Sequence, residues 1–299
     1  MRWKNRRKSS NIEDRRGQSV GIGGGSGSGL LSFIPMLVRT KTGRIMLLVG
    51  AVVFIGSRMM GIDLLPLLLG GGGSTVSNEP RELTPAEKEM GDFVAAVLAD
   101  TEDTWQALFR KQGGSYREPK LVLFTGRVNS ACGMASSAVG PFYCPGDQKL
   151  YLDLSFFQDL KQRHGAPGDF AQAYVIAHEV GHHVQTLIGV SDQVRQAGRG
   201  KSKTEVNALS VKQELQADCF AGLWGHAANT ERQLLDPGDL EEALTAATAI
   251  GDDRLQREAG RGVVPDSFTH GSSAQRVKWF RRGFESGDIN SCDTFSMMD

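Results

Sequence analysis

Two histidines and one glutamate near the middle of the chain have the types and the spacing of a metal-dependent hydrolytic site. They belong to the sequence HEVGH at residues 178–182, inside an apolar segment that begins near Phe170. If this segment is a helix, His178 and His182 project from the same face and can bind one zinc ion together. Glu179 lies at the edge of that face, where it can act as general base on a zinc-bound water. The alternative is a structural helix that happens to contain these residues.

A zinc site of this kind needs a third protein ligand, and the sequence offers one downstream. Glu214 and Asp218 lie four residues apart in the sequence ELQAD, within a second helical pattern. Glu214 would complete a set of two histidines and one glutamate, with a fourth position open for water. Asp218 lies one helical turn further on, where it can accept the free ring N–H of a ligand histidine. The alternative for this pair is a solvated helix face.

Hydrolysis also needs a hydrogen-bond donor for the charge that develops on the carbonyl oxygen. His270 is our first candidate, because it lies in a predicted loop before the last helix and could reach over the cleft. Tyr143 is the alternative donor, and a surface role for His270 also stays open. His183 is rotated about 100° around the helix from His182, which favours a core or supporting role for it.

Helical periodicity dominates the sequence on both sides of the HEVGH motif. A capping signal, TPAE at residues 84–87, predicts that the first helix of the domain begins at Pro85. Residues 189–204 are expected to form a loop. The other predicted helices cover residues 155–162, 169–188, 205–228, 237–258 and 272–284, and predicted strands cover residues 120–125 and 149–154. These patterns predict an α+β fold, mostly helical, with a small N-terminal antiparallel or mixed sheet next to the motif helix.

The N-terminal part of the chain differs in composition from the rest. Residues 1–44 contain ten Lys or Arg against only Glu13 and Asp14, and residues 21–29 are almost entirely Gly and Ser. Such a sequence buries too little apolar surface to offset the entropy of the chain. We therefore predict that residues 1–44 form a disordered basic leader on the cytoplasmic side.

An apolar segment follows this leader and predicts a membrane anchor at residues 45–69. A membrane span needs about 20 residues, and the uncharged run at residues 45–56 is shorter, so a signal-peptide core or a buried helix is an alternative. The absence of a small-residue cleavage site favours an uncleaved anchor. Basic residues before the segment place the N-terminus in the cytoplasm and the remainder outside. Residues 70–78 are then a Gly/Ser linker, and residues 79–299 form the zinc-binding domain.

The four cysteines allow a check on that topology. They are Cys132, Cys144, Cys219 and Cys292. The simplest pairing in an exported domain joins Cys132 to Cys144 and Cys219 to Cys292. The alternative is four reduced, mostly buried thiols. The formal net charge of the chain is zero, so its overall charge gives no reason to expect nucleic acid as a partner.

Several separate motifs resemble the bacterial neutral zinc metallopeptidase family over essentially the full chain. They are HEVGHHVQ, ELQADCFAG, ACGMASSAVGPFYCPGDQKLYLDL, THGSSAQRVKWFRRGF and the leader MRWKNRRKSSNIEDRRG. More distantly, the HExxH and ExxxD pair is similar to thermolysin and the compact gluzincins. The resemblance implies a zincin-like fold in which the edge strand of the sheet pairs with an extended peptide.

The same resemblance implies roles for individual residues. His178, His182 and Glu214 would be the ligands of a Zn²⁺ cofactor, and Glu179 would be the general base. Asp218 would accept a hydrogen bond from His178. The expected partner is a peptide or protein substrate.

Two classes of function are consistent with these features. The first is a membrane-anchored zinc endopeptidase that uses a metal-activated water, with Glu179 as base. The second is a non-catalytic or chaperone-like envelope protein that keeps zinc for stability. Hydrolysis of another amide, such as a cell-wall crosslink, is a weaker third possibility. The sequence leaves the oligomeric state open.

Overall fold

Helices make up most of the described chain and surround a small sheet. The computed structural model of the protein describes residues 1–17 and 82–296. In chain order, the helices are α1 (Pro85–Lys111), α2 (Ser155–Gln162), α3 (Asp169–Leu187), α4 (Val190–Ala197), α5 (Lys203–Thr230), α6 (Asp239–Ala249), α7 (Asp252–Glu258) and α8 (Ser273–Ser286). The strands are β1 (Ile12–Asp14), β2 (Lys120–Phe124), β3 (Arg127–Ser130), β4 (Gly133–Ser136), β5 (Phe142–Cys144) and β6 (Lys149–Asp153). The predicted α+β class is confirmed.

The main sheet is mixed and packs against the motif helix α3 through β5 and β6. Its strand order is β1-β2-β6-β5, in which β1, β2 and β6 are parallel and β5 is antiparallel to β6. Side chains alternate between the two faces of a strand. Leu121 and Leu150 therefore enter the main core, whereas Val122 and Tyr151 pack in a second cluster with Val128 of β3. Among the described strands, β5 forms one edge of this sheet.

Residues 1–17, which we call the N-terminal arm, are folded onto the domain. Strand β1 within this arm pairs with β2. The arm also supplies partners to Glu102 of α1, which is only 1 % exposed: Arg7 donates to its carboxylate at 2.9 Å and Ser9 at 2.5 Å. The predicted disorder of the leader is therefore wrong for the N-terminal arm. Its basic and polar residues have acidic partners on the domain, among them the buried Glu102, that composition alone does not reveal.

The predicted location of the protein is also wrong. A single membrane span after the arm would separate it from the domain, yet β1 pairs with β2 and the arm belongs to the same compact unit as the domain. The two parts therefore lie on the same side of any membrane. Within residues 1–17 and 82–296, no helix has the length and apolar character that a membrane crossing requires. The predicted anchor (45–69) and linker (70–78) lie outside the described residues.

Glycines at helix contacts fix the relative positions of α3, α5 and α8. A Cβ atom added at Gly181 of α3 would lie 3.0 Å from the carbonyl oxygen of Ala217 on α5, so the glycine permits close approach of these helices. Added Cβ atoms at Gly222 of α5 and Gly283 of α8 would overlap backbone atoms of the facing helix. Helix α5 is thus held between α3 and α8, and side chains from all three helices can meet.

Two predicted element boundaries are wrong. The expected loop at residues 189–204 contains the helix α4. The expected helix at residues 237–258 is divided into α6 and α7, with Gly251 between them. A Cβ atom at Gly251 would lie 2.4 Å from the backbone nitrogen of Ser273, so the first turn of α8 packs directly on this break. Tertiary contact, which periodicity does not encode, interrupts the helix.

Both predicted disulfides are present. Cys132–Cys144 joins the turn between β3 and β4 to strand β5. Cys219–Cys292 joins α5 to the 3-10 turn Ile289–Cys292 near the end of the chain. No cysteine of the described chain is free. The C-terminal segment is therefore covalently attached to the helix that carries Glu214.

Candidate metal centre

The fold brings the three predicted ligands together. One side-chain nitrogen of His178, one of His182 and one carboxylate oxygen of Glu214 all lie within 4.8 Å of one another. The Nε2 atom of His178 is 3.1 Å from Glu214 Oε2, and the Nε2 atom of His182 is 3.4 Å from Glu214 Oε1. The two histidines lie one turn apart on α3, and the glutamate reaches them from α5. The arrangement depends on the close approach of these helices at Gly181.

His178 is supported by a buried ionic network. Its Nδ1–H donates to Asp218 Oδ1 at 2.9 Å, which leaves Nε2 free to face Glu214. The guanidinium of Arg276 on α8 donates to both oxygens of Asp218 at 2.9 Å, and the Tyr174 hydroxyl donates to Oδ1 at 2.5 Å. Asp218 is 0 % exposed and Arg276 is 2 % exposed. The network fixes the ring orientation and the tautomer of His178.

His182 has a different support, which is neutral. Its Nδ1 atom lies 2.9 Å from the amide oxygen of Gln185, one turn further along α3. The Gln185 side chain is fully buried. An amide oxygen only accepts hydrogen bonds, so Nδ1 of His182 carries the proton and Nε2 is available on the side of Glu214.

The charges of the centre shift the pKa values of its members in opposite directions. Burial alone would lower the pKa of His178, but Asp218 and Glu214 outweigh it and raise that pKa to about 9. Burial would also lower the pKa of His182, and Glu214 raises it overall. Burial favours neutral Glu214, yet His182 and His178 hold its pKa well below the usual range. A divalent cation would take the place of the protons that these histidines otherwise share with Glu214.

The donor set fits zinc. Two imidazole nitrogens and one carboxylate are the ligands that catalytic zinc sites use, with one position left for water. Both imidazoles present Nε2 to the centre while Nδ1 is held by another residue, as expected for metal-binding histidines.

A cleft of about 700 Å³ opens onto this centre. His178, Glu179, His182 and Glu214 all line it. Within the described chain, the carboxylate of Glu179 makes no hydrogen bond or ion pair. This carboxylate is therefore available to a water molecule or a substrate in the cleft.

His270 lines the same cleft and is oriented by Asp252 at the start of α7. One Asp252 oxygen accepts from the backbone N–H of His270 at 2.6 Å, and the other lies 3.3 Å from its Nδ1. The hydrogen bond with Asp252 raises the pKa of His270 against the opposing effect of burial. In the described residues, Nε2 of His270 has no hydrogen-bond partner, and the side chain is 51 % exposed.

Tyr143, the alternative donor, has a partner for its proton. His183 Nε2 lies 2.6 Å from the Arg117 carbonyl oxygen, which can only accept, so this nitrogen carries the proton. Its Nδ1 then accepts from the Tyr143 hydroxyl at 3.2 Å. Burial lowers the pKa of His183 to about 4, which keeps the ring neutral. His183 thus joins α3 to strand β5 and engages the proton of the Tyr143 hydroxyl.

Comparison with known proteins identifies the family. A sequence model of the family described as "Putative neutral zinc metallopeptidase" matches residues 1–295. The chain belongs to this zinc metallopeptidase family. The match includes the N-terminal arm, in agreement with its place in the fold.

Two of the proteins similar to this chain come from Escherichia coli and Mycobacterium tuberculosis. The chain is 51 % identical over 296 residues to "Uncharacterized protein YpfJ" of Escherichia coli (strain K12), covering 99 % of each chain. It is 44 % identical over 217 residues to "Uncharacterized protein Rv2575" of Mycobacterium tuberculosis, covering 69 % of this chain and 72 % of that protein. No solved structure matches the chain significantly. The zincin-like character of the fold stays a prediction.

Sequence reasoning on this family member missed Arg276, Tyr174 and Gln185. A signal existed for Arg276, because it lies four residues before the buried Phe280 and hence on the apolar face of the last helix. A buried cation there requires a buried anion, and Asp218 was available. Gln185 lies three residues after His182, which places it on the same helix face. The composition of the helix gave no reason to select it.

Proposed function

We propose that the protein is a zinc-dependent endopeptidase. The observation that carries the proposal is the convergence of His178, His182 and Glu214 beside the carboxylate of Glu179, which has no partner among the described residues. The cleft volume of about 700 Å³ lies within the range of about 300–1,000 Å³ that is typical of ligand sites.

The residues of the centre would hold the metal as neutral imidazoles and an ionised carboxylate. When bound, zinc polarises a carbonyl group and lowers the pKa of a coordinated water to about 7. The Nδ1–H groups of His178 and His182 donate to Asp218 and Gln185, and these hydrogen bonds keep both rings oriented for this purpose. The low pKa of Glu214 ensures that its carboxylate is ionised at neutral pH.

Glu179 would move the proton during hydrolysis. Its carboxylate accepts a proton from the attacking water as the new C–O bond forms. It then delivers this proton to the leaving nitrogen as the C–N bond breaks, so proton uptake and release balance. His270 would donate from Nε2 to the negative charge that develops on the carbonyl oxygen. Asp252 holds His270 at Nδ1 and favours its protonated form.

Strand β5 supports a peptide as the substrate. It is an edge strand among the described residues, and its residues Phe142 and Tyr143 line the cleft. An extended peptide can add to such an edge through backbone hydrogen bonds. This geometry favours a polypeptide over a compact small molecule, because only an extended backbone can use the free edge of the strand.

The substitution Glu179→Gln tests the proposal. We expect the variant to retain one zinc per chain, because Glu179 is not a ligand, while hydrolysis falls by about 10²–10⁴-fold through loss of the base. Metal analysis of the full chain and digestion of a peptide library, read by mass spectrometry, measure the two quantities. Glu241→Gln on the exposed surface of α6 is the matched control.

The outcomes separate the two classes of function. Retained turnover in Glu179→Gln would exclude the proposed mechanism. A wild-type protein that melts at a higher temperature with zinc but cleaves no peptide would instead indicate the non-catalytic, zinc-stabilised alternative.

A further inference from the structure

We infer that Gln185 is a positioning residue for zinc binding, and that a relay of buried amides sets its orientation. The relay runs from a backbone carbonyl near the C-terminus, through Gln216 and Gln185, to Nδ1 of His182. The inference rests on the proposed role of His182 as a zinc ligand. It adds a second support to the centre, independent of Asp218.

The relay consists of close contacts between buried groups. Gln185 is 0 % exposed and Gln216 is 6 % exposed. The amide nitrogen of Gln185 donates to the Gln213 carbonyl oxygen at 2.7 Å and to Gln216 Oε1 at 3.1 Å. The amide nitrogen of Gln216 donates to the Cys292 carbonyl oxygen at 3.1 Å.

Backbone carbonyls impose the direction of the whole relay. The Gln213 and Cys292 carbonyl groups can only accept, so each glutamine must turn its amide nitrogen toward them. A flipped Gln185 would place its oxygen 2.7 Å from the Gln213 oxygen, where both atoms are acceptors. The oxygen of Gln185 is therefore the atom that faces His182, and it requires a proton on Nδ1. The Nε2 lone pair is left for the metal.

The relay also connects the centre to the C-terminal segment. Gln216 lies two residues after Glu214 on α5, so the helix that supplies one predicted ligand also helps to hold another. Cys292 belongs to the 3-10 turn that a disulfide attaches to Cys219 of the same helix. The final acceptor of the relay is thus fixed covalently to α5.

Replacement of Gln185 by methionine tests the inference, because methionine has a similar length and no amide. Loss of a partner that orients a metal ligand typically weakens metal binding by about 10–100-fold. We expect this loss for Gln185→Met, and a smaller one for Gln216→Met, which keeps the contact between His182 and Gln185. Gln172→Met is the matched control on α3, because the buried oxygen of Gln172 has no hydrogen-bond partner to lose among residues 1–17 and 82–296.

The measurements are made on the full chain and do not require peptidase activity. Chelator competition gives the zinc dissociation constant, and the absorption spectrum of the cobalt-substituted protein reports the ligand geometry. Melting of the metal-free variants separates general destabilisation from loss of metal binding. Long-range ¹H–¹⁵N spectra of the zinc-loaded wild type identify the protonated ring nitrogen of His182, which we expect to be Nδ1. This last readout remains decisive if a variant does not fold.

Three results distinguish this inference from the proposed function. The inference would be overturned if Gln185→Met bound zinc as tightly as the wild type and gave the same cobalt spectrum. A proton on Nε2 of His182 in the zinc-loaded wild type would also overturn it. Wild-type protein that binds zinc but cleaves no peptide would overturn only the proposed function. Wild-type protein that binds no zinc would overturn both.

Discussion

His178 and His182 lie one turn apart on the same helix, but their supports differ in chemical character. His178 is held by a carboxylate, Asp218, whose charge Arg276 neutralises. His182 is held by an amide, Gln185, which carries no charge. Neither support adds net charge to the centre, so Glu214 is the only anion among the predicted ligands that offsets a divalent cation. The comparison indicates that a net positive charge remains to polarise a substrate carbonyl.

The two supports also differ in how they respond to the loss of one member. The ionic support contains a pair of fully buried charges, and removal of one leaves the other without compensation. The amide support loses only hydrogen bonds between neutral groups, each of which contributes about 1 kcal/mol net. The ionic support should therefore dominate the stability of the fold, whereas both supports should affect zinc affinity.

The largest expected effect on stability follows from Asp218→Asn. Asparagine can still accept from His178, but it leaves the buried Arg276 without the anion to which it is hydrogen-bonded. We expect the free energy of unfolding of the metal-free protein to fall by about 3–5 kcal/mol, as measured by urea denaturation with EDTA present. A decrease below about 1 kcal/mol, the scale of one neutral hydrogen bond, would remove the proposed difference between the supports.

A double variant controls for this prediction. Asp218→Leu combined with Arg276→Met removes both charges, and such replacements in protein interiors are often neutral or stabilising. We expect most of the stability lost in Asp218→Asn to return, while zinc affinity falls below that of the wild type, because His178 now lacks its acceptor. Zinc affinity like that of the wild type would show that Asp218 acts only through the fold.

A third histidine on the same helix extends the comparison to pH. In the described part of the chain His183 has no acidic partner, and burial lowers its pKa to about 4 from an ordinary value of 6.5. A lowered pKa means that the neutral form stabilises the fold: the contribution is complete above pH 6.5 and is lost as pH falls toward 4. This shift in the pKa of His183 corresponds to about 3 kcal/mol of unfolding free energy. The contribution of His178 to the pH dependence of stability has the opposite sign, because its pKa is raised to about 9.

The substitution His183→Gln isolates this contribution. Glutamine can donate to the Arg117 carbonyl and accept from Tyr143 without titrating near neutral pH. Between pH 7 and pH 4, we expect the wild type to lose about 3 kcal/mol of unfolding free energy relative to the variant, in EDTA. The other titrating groups are common to both proteins, so their contributions cancel in the difference between the two pH profiles. Parallel pH profiles would contradict a neutral, buried His183.

Much of the fold and of the candidate site could be predicted because the relevant signals are local. HEVGH and ELQAD each place their residues on one helix face, and the capping box at Thr84 and Glu87 is formed as expected. The disulfide pairing also followed from the simplest connectivity of the four cysteines.

The failures share a physical cause, which is dependence on partners distant in the chain. The N-terminal arm is ordered through its contacts with Glu102 and strand β2. Both partners lie nearly a hundred residues or more further along the chain. The break at Gly251 depends on Ser273, and the orientation of Gln185 depends on Cys292. Hydrophobic periodicity and composition describe a segment alone, so they contain no information about such contacts.

The disulfide between Cys219 and Cys292 has one further consequence, which follows from thermodynamic reciprocity. If the Cys292 carbonyl helps to orient His182, then closing the disulfide strengthens zinc binding by some factor. Coupling between two equilibria is mutual, so zinc must favour the closed disulfide over the open thiols by the same factor. The metal would then protect a covalent bond that it never touches, and loss of zinc would make the C-terminal segment easier to release by external thiols.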